Sequence, residues 1–175
     1  TIDNQSFRVG RDYTAFQEFI AQHPKANIAE MDSVIGKKGV GEKMLLTLLL
    51  RKSKFMFAFL RNRNTQASVT EVFDHIQSKI GFARFATMFH VVLTDNGPEF
   101  KDPISLERGT RNVQRCYIFY CDSRASQQKG RIEKNHEYIR KYLPQGTSFN
   151  GLTQEKVNLM MSHINSVKRD SLDGS

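Results

Sequence analysis

The stretch Ala29-Glu30-Met31-Asp32-Ser33-Val34-Ile35 decides the fold, because it alternates apolar and polar side chains as a strand with one buried face does. The flexible, basic turn Gly36-Lys37-Lys38-Gly39-Val40-Gly41 follows it. Two further strand patterns occupy residues 44–51 and 54–60. Strands that follow one another through short connections pair antiparallel, so this part of the chain predicts a three-stranded antiparallel meander.

Helices and strands alternate in the rest of the chain. Residues 65–80 predict an amphipathic helix, because apolar side chains recur on one helical face. Two more strands, at residues 89–94 and 116–120, and two more helices, at about residues 128–142 and 153–167, are predicted after it. A polar, basic connection is predicted over residues 101–114. A meander followed by alternating elements predicts an α/β fold, with a mixed sheet flanked by helices.

A first helix is predicted near the start of the chain. Phe16, Phe19 and Ile20 share one helical face, and Thr14 and Gln17 fit a capping box.

The composition favours a polyanionic partner. The 175 residues include 26 Lys and Arg against 18 Asp and Glu, which gives a formal charge of +8. Charge alone does not separate DNA from RNA or from an anionic membrane. No apolar run is long enough to span a bilayer, and two cysteines without framework spacing predict a reduced, cytoplasmic setting. A zinc site built from Cys116, Cys121 and His136 is disfavoured, because their spacing matches no common pattern.

Three acidic residues lie where metal chemistry would need them. Asp32 is in a strand, Asp95 ends a strand, and Glu133 is in a helix. Carboxylates that converge at one edge of a sheet need cations to neutralise them, and hard oxygen ligands suit Mg²⁺ or Mn²⁺. Each residue also has a simpler interpretation: an outward polar residue for Asp32, a hairpin turn at Asp95-Asn96-Gly97, and a solvated helix residue for Glu133. Glu137, one turn after Glu133, competes for the ligand role.

The same residues carry a family resemblance. The segments Glu30-Met31-Asp32-Ser33-Val34-Ile35-Gly36, Leu93-Thr94-Asp95-Asn96-Gly97-Pro98-Glu99-Phe100 and Gly130-Arg131-Ile132-Glu133-Lys134-Asn135-His136 occur in that order. They resemble the three acidic signatures of bacterial insertion-sequence transposases of the DDE class, and most of all the insertion-sequence-thirty family within the retroviral-integrase-like group. The resemblance implies a ribonuclease H-like fold, in which a mixed five-stranded sheet combines three antiparallel strands with two parallel ones.

The resemblance also implies a function. Asp32, Asp95 and Glu133 would be both the catalytic residues and the metal ligands. They would hold two divalent ions, Mg²⁺ or Mn²⁺. The reaction would be DNA strand cleavage and strand transfer during transposition, with element ends and target DNA as partners and a homo-oligomer, such as a dimer, as the working form. Residues 1–26 would be a helical lead-in, and residues 27–175 would be a catalytic core excised from a longer protein.

Two alternatives stay open beside the transposase interpretation. The first is a ribonuclease H-like nuclease or resolvase, which usually brings a fourth carboxylate to the site. The second is a DNA-binding module with an inactive site.

Several residues near the acidic ones receive supporting roles. Five basic residues on or next to the predicted helix of Glu133 are expected to contact DNA phosphates, although each of them could be solvated instead. They are Lys129, Arg131, Lys134, Arg140 and Lys141. Gly97 is predicted to adopt a positive φ or to allow DNA to approach closely. Glu99 could support the metal site or be a solvated turn residue. His136 could contact phosphate or metal, but a packing or hydrogen-bonding histidine is favoured.

Overall fold

A mixed five-stranded sheet forms the centre of the protein in the computed structural model, which describes residues 6–173. The strands are β1 (Ile28–Ile35), β2 (Met44–Leu50), β3 (Met56–Arg61), β4 (Val91–Thr94) and β5 (Tyr117–Tyr120). Their order across the sheet is β3-β2-β1-β4-β5. β1, β2 and β3 pair antiparallel, whereas β4 pairs parallel with β1 and β5 parallel with β4. The predicted combination of three antiparallel and two parallel strands is therefore confirmed.

Six α-helices accompany the sheet in the described part of the chain. They are α1 (Tyr13–Gln22), α2 (Gln66–Ile80), α3 (Phe82–Met88), α4 (Pro103–Arg108), α5 (Gly130–Tyr142) and α6 (Gln154–Asp173). Short 3₁₀ turns occur at Ser6–Arg8, Pro98–Phe100 and Ser126–Lys129. None of the helices within residues 6–173 combines the length and the apolar character that a membrane crossing needs.

The helices cover both faces of the sheet, because successive side chains of a strand point to opposite faces. Met31 and Val92 pack on one face with Phe73 of α2 and Phe85 of α3. The other face carries two separate apolar clusters. Residues of α5 and α6 pack there beside Val34, and α1 packs through Phe16 against the strands β4 and β5. Glu30 and Asp32 alternate with Met31, so they point to the face that α5 covers.

Three details of the predicted elements are wrong. The carboxylate of Asp12, not a box of Thr14 and Gln17, caps α1 by accepting a hydrogen bond from the backbone N–H of Ala15. The connection over residues 101–114 contains α4, which Asp102 caps ahead of a proline at the first helical position. Residues 82–88 form α3, so β4 begins at Val91 rather than at residue 89. Helices this short give too few turns for a clear period in the sequence.

β3 is an edge strand of the sheet, and amide side chains of α6 bind its free backbone groups. Asn165 accepts a hydrogen bond from the backbone N–H of Met56 at 3.0 Å and donates one to the Met56 carbonyl at 2.9 Å. Gln154 binds the N–H of Leu60 and the carbonyl of Ala58 in the same way, at 2.8 and 3.0 Å. These amides replace a neighbouring strand, and they fix α6 on the sheet.

Candidate active site

Asp32 and Asp95 lie side by side because their strands are parallel neighbours. The register of β1 and β4 pairs Glu30 with Leu93, so two residues further on Asp32 is opposite Asp95. The hydroxyl of Thr94 donates a hydrogen bond to the carbonyl of Met31 at 3.2 Å, which continues the pairing to the end of β4. The two carboxylates are thereby held at the same edge of the sheet.

The ammonium group of Lys129 lies between these two carboxylates. Its Nζ atom is 3.1 Å from Oδ2 of Asp32, 3.4 Å from Oδ2 of Asp95 and 3.3 Å from the carbonyl oxygen of Met31. Lys129 is only 2% exposed. The predicted location of this lysine on a DNA-facing helix surface is thus wrong for the described structure, because the two aspartates attract its charge inward.

Burial and neighbouring charges change the pKa values of this group. Burial raises the pKa of Asp32 to about 6, although Lys129 lowers it, and the charge of Asp95 raises it further. Burial lowers the pKa of Lys129, but the charges of Asp32 and Asp95 outweigh burial, so its pKa is raised overall. The ammonium therefore keeps its proton, and it compensates one of the two carboxylate charges.

Glu133 lines a cavity next to this pair. The cavity has a volume of about 340 Å³, and its lining includes Asp95, Asn96, Lys129 and Glu133. Glu133 is exposed on α5, one turn after Lys129. Within residues 6–173, no three His, Cys, Asp or Glu side chains are grouped closely enough to hold a metal ion. The structure brings Asp32 and Asp95 together and places Glu133 at the cavity beside them.

Glu137 lies one turn further along α5 and is also exposed. It is not among the described residues that line the cavity of Asp95. Of the two glutamates, it is Glu133 that lines the cavity beside Asp95.

The turn after β4 fixes the carboxylate of Asp95. Its Oδ1 atom accepts a hydrogen bond from the backbone N–H of Gly97 at 2.9 Å, and the amide of Asn96 donates one to the carbonyl of Cys121 at 3.0 Å. Gly97 has a φ of −58°, so the predicted positive φ is wrong. A Cβ atom at Gly97 would lie 2.3 Å from Oε1 of Glu99, and this contact explains the glycine. The 3₁₀ turn that follows also excludes the hairpin alternative for Asp95.

Glu99 is buried rather than solvated. Its Oε2 accepts a hydrogen bond from Nδ2 of Asn64 at 3.1 Å, and its Oε1 is 3.5 Å from the hydroxyl of Ser33. Arg61, which is 3% exposed, donates to the same hydroxyl at 2.9 Å. Burial lowers the pKa of Arg61 to about 10, while the charge of Glu99 raises it. Because the N–H of Ser33 donates to Oδ1 of Asp32 at 2.8 Å, this network supports the backbone next to Asp32.

A second buried carboxylate, Glu30, holds the start of α5, and the sequence did not single it out. Oε2 of Glu30 is 2.7 Å from Nε of Arg51, and Oε1 accepts the backbone N–H of Ile132 at 3.0 Å. Arg51 also donates to the carbonyl of Gln128 at 3.3 Å. Arg51 therefore binds the backbone just before Lys129, and Glu30 binds it just before Glu133. The available signal was that Glu30 shares the strand face of Asp32.

His136 has the hydrogen-bonding role that the sequence favoured. Its Nε2 is 2.7 Å from the hydroxyl of Thr47, which donates its own proton to the carbonyl of Asp32 at 3.1 Å. A hydroxyl has one proton to donate, so when Thr47 donates to the carbonyl of Asp32, Nε2 of His136 is the donor in this pair. Burial lowers the pKa of His136 to about 4, and the charges of Lys129 and Arg140 lower it further. The imidazole is therefore neutral at pH 7.

The basic residues of α5 itself, which begins just after Lys129, have different environments. The side chain of Arg131 is 63% exposed, and Arg131 and Lys134 line a second cavity of about 330 Å³ together with Lys54 and Lys168. Nη2 of Arg140, in contrast, donates to the carbonyl of Ile35 at 2.9 Å.

The ammonium of Lys141 lies 5.4 Å from the ring centre of Tyr138, and Lys141 is exposed. Of the five predicted DNA contacts, Arg131, Lys134 and Lys141 thus present charge to solvent.

Two curated proteins are similar in sequence. "Putative integrase ORF3" of Spiroplasma virus SpV1-R8A2 B is 28% identical over 144 residues, which are 82% of this chain and 42% of that protein. "Probable transposase for insertion-like sequence element IS1161" of Streptococcus salivarius is 24% identical over 136 residues, 78% of this chain and 36% of that protein. The chain thus spans about two fifths of the length of these relatives. No protein-family model matches it.

Solved structures give the fold. The catalytic core domain of BIV integrase superposes with a TM-score of 0.51 at 18% identity, over 79% of this chain and 80% of that one. The chain has the fold of an integrase catalytic core. A chain of the simian T-cell lymphotropic virus intasome in complex with PP2A regulatory subunit B56 gamma superposes with a TM-score of 0.57 at 15% identity, over 77% of this chain and 46% of that one. The predicted ribonuclease H-like fold of this integrase-like core is confirmed.

The buried pair of Glu30 and Arg51 yields a stability prediction. We expect Glu30→Gln to lower the free energy of unfolding of the integrase-like core by about 3 kcal/mol, because it leaves a largely buried guanidinium without its countercharge. Chemical denaturation measures the change. Glu71→Gln on the exposed surface of α2 is the matched control, with a change below about 0.5 kcal/mol. Equal stabilities of the two variants would show that the pair does not hold α5.

His136 yields a pH prediction. Its pKa of about 4 in the folded protein is below the value of 6.5 for an unperturbed histidine, so the unfolded chain takes up this proton first as the pH falls. The associated stability is present above pH 6.5 and is lost between pH 6.5 and 4, by on the order of 2–3 kcal/mol. Denaturation at a series of pH values should show this loss in the wild type and not in His136→Gln. His75→Gln, on the exposed surface of α2, should still lose this stability as the pH falls. If the stability of His136→Gln depended on pH as that of the wild type does, the lowered pKa of His136 would be contradicted.

Proposed function

We propose that this chain is the catalytic core of a DNA transposase or integrase, which cleaves and transfers DNA strands with divalent metal ions. Asp32, Asp95 and Glu133 are its proposed metal-binding and catalytic residues. The observation that carries the proposal is the convergence of Asp32 and Asp95 on one positive charge, beside the cavity that Glu133 lines. The relatives named integrase and transposase support this reaction class.

The residues of the site fit a divalent cation. Asp32 and Asp95 offer carboxylate oxygens, which are the ligands that Mg²⁺ and Mn²⁺ prefer. The single ammonium of Lys129 leaves one of the two negative charges uncompensated, in a place where burial already opposes charge. When bound, two such ions would supply the activation of a water or 3′-hydroxyl nucleophile and the stabilisation of the leaving oxygen.

The protein's own groups hold the acidic side chains in place for this task. Asp95 is oriented by the N–H of Gly97, and Asp32 by the N–H of Ser33. Glu133 belongs to a helix whose first turn is bound to Glu30 through the N–H of Ile132. Glu133 itself is exposed, so it is able to turn toward Asp95 across the cavity that both line.

The second cavity, on the other side of the α5 surface, is the proposed contact to the DNA backbone. Its lining contains Arg51, Lys54, Arg131, Lys134 and Lys168. Lys54, Arg131 and Lys134 are exposed there, and their charges attract phosphates of any sequence, which gives affinity and orientation rather than base readout. DNA of the element ends and of the target would be the substrates, and a homo-oligomer is the proposed working form.

A branched DNA that mimics the product of strand transfer tests the proposal, because reversal of transfer on it needs no recognition of particular ends. With Mn²⁺, we expect the wild-type chain to release and rejoin strands. Asp32→Asn, Asp95→Asn and Glu133→Gln should each lower the rate by at least about a hundredfold, since several kcal/mol of transition-state stabilisation is lost. Gel electrophoresis of labelled strands measures both products.

Glu137→Gln is the matched control, because it changes the same functional group one turn away on the same helix; its rate should stay within a few-fold of wild type. Strand release without rejoining would favour a nuclease or resolvase. An inert wild type, with DNA still bound, would favour a DNA-binding module and would overturn the proposed function.

A further inference from the structure

We propose that Lys129 is a built-in cation that occupies the Asp32–Asp95 pair in the absence of metal, and that a divalent ion binds there only by displacing it. The inference rests on the proposed function, since it concerns the affinity of the same site for metal. It assigns to Lys129 a role in regulating metal entry, in place of the DNA contact that the sequence predicted.

The contacts of the ammonium are complete. It has three N–H donors, and three oxygens lie within 3.4 Å: Oδ2 of Asp32, Oδ2 of Asp95 and the carbonyl of Met31. The lysine is 2% exposed, so these three oxygens take the place of water around its ammonium. Lys129 thus satisfies both carboxylates in the way that a bound cation would.

A divalent ion and the ammonium would compete for the same carboxylate oxygens. Mg²⁺ binds carboxylate oxygens at about 2.0–2.1 Å. A cation at that distance from Oδ2 of both Asp32 and Asp95 would lie within about 5 Å of Nζ, which is itself 3.1 and 3.4 Å from the same two oxygens. Two positive charges this close repel each other, and both would compete for the same carboxylate oxygens. Metal binding therefore requires the side chain of Lys129 to leave.

The structure offers a place for the displaced side chain. Lys129 lines the cavity of about 340 Å³ that also contains Asp122 and Glu133. It precedes the first residue of α5 and has a non-helical backbone, with φ −120° and ψ 29°. Rotation of its side chain into the cavity leaves the hydrogen bonds of α5 intact.

The number of carboxylates around Lys129 distinguishes it from an ion pair that serves only stability. Arg51 faces the one carboxylate of Glu30 at 2.7 Å, and Nη1 of Arg131 lies 3.8 Å from the same oxygen, so no negative charge is left over there. Lys129 faces two carboxylates at once, so the group keeps one negative charge that a divalent ion would neutralise better. Exchange for a divalent cation is favoured at Lys129 and has no counterpart at Arg51.

Metal affinity of the protein without DNA is the first test. Isothermal titration with Mn²⁺ should show binding to Lys129→Met at least about tenfold tighter than to the wild type, because the competing charge is gone; tenfold corresponds to about 1.4 kcal/mol. Lys79→Met, which removes an exposed lysine of α2, controls for net charge and should stay within about twofold of wild type. Equal or weaker binding to Lys129→Met would overturn the inference.

A second test uses the wild-type protein, so it does not depend on the folding of a variant. Acetic anhydride acylates accessible amines, and mass spectrometry reads each lysine separately. Lys129 should be protected in metal-free protein and become reactive at saturating Ca²⁺ or Mn²⁺, whereas Lys79 should react equally in both. Protection of Lys129 in the metal-saturated protein would overturn the inference.

The inference and the proposed function fail in different ways. Tighter Mn²⁺ binding by Lys129→Met together with an undiminished rate in Asp95→Asn would overturn only the proposed function. Unchanged Mn²⁺ affinity in Lys129→Met together with an inactive Asp95→Asn would overturn only the role of Lys129.

Discussion

The parallel pairing of β1 with β4 is the constraint on which the candidate site depends. Adjacent strands lie about 4.8 Å apart, so the register that pairs Glu30 with Leu93 also holds Asp32 opposite Asp95. A slip of one residue would turn one carboxylate to the other face of the sheet. Two carboxylates this close need a cation, and the chain supplies one of its own in Lys129.

Two further groups of buried charged residues surround Asp32 and Asp95, and both groups contain carboxylates and guanidinium groups. Glu30 is bound by Arg51, while Glu99 and Arg61 meet at the hydroxyl of Ser33. One network reaches the start of α5 and the other the backbone beside Asp32, so both connect to elements that carry acidic residues of the site. Breaking such a network costs more than its net contribution to stability, because the remaining charge stays buried. Hydrogen bonds and buried charges therefore hold the two aspartates in place, whereas Glu133 remains exposed.

The strand patterns and the three acidic signatures were enough to predict the sheet, its mixed pairing and the meeting of Asp32 with Asp95. Short-range periodicity does not reveal α3 and α4, which are too short to repeat. Nor does it reveal Glu30, which looks like one more polar residue of an alternating strand. Its partner Ile132 is 102 residues away in the chain, and Lys129 reaches Met31 across 98 residues. Residues this far apart in the sequence meet only in the folded protein, so no local sequence pattern predicts the contact.

The central claim is that residues 32, 95 and 133 meet around a common divalent cation. Anomalous diffraction from a crystal of the protein grown with Mn²⁺ and bound DNA tests it most directly. The account predicts a manganese peak in contact with carboxylate oxygens of Asp32, Asp95 and Glu133, with the ammonium of Lys129 outside its former position. Manganese bound elsewhere, or Glu133 directed away from the aspartates while Lys129 still bridges them, would contradict it.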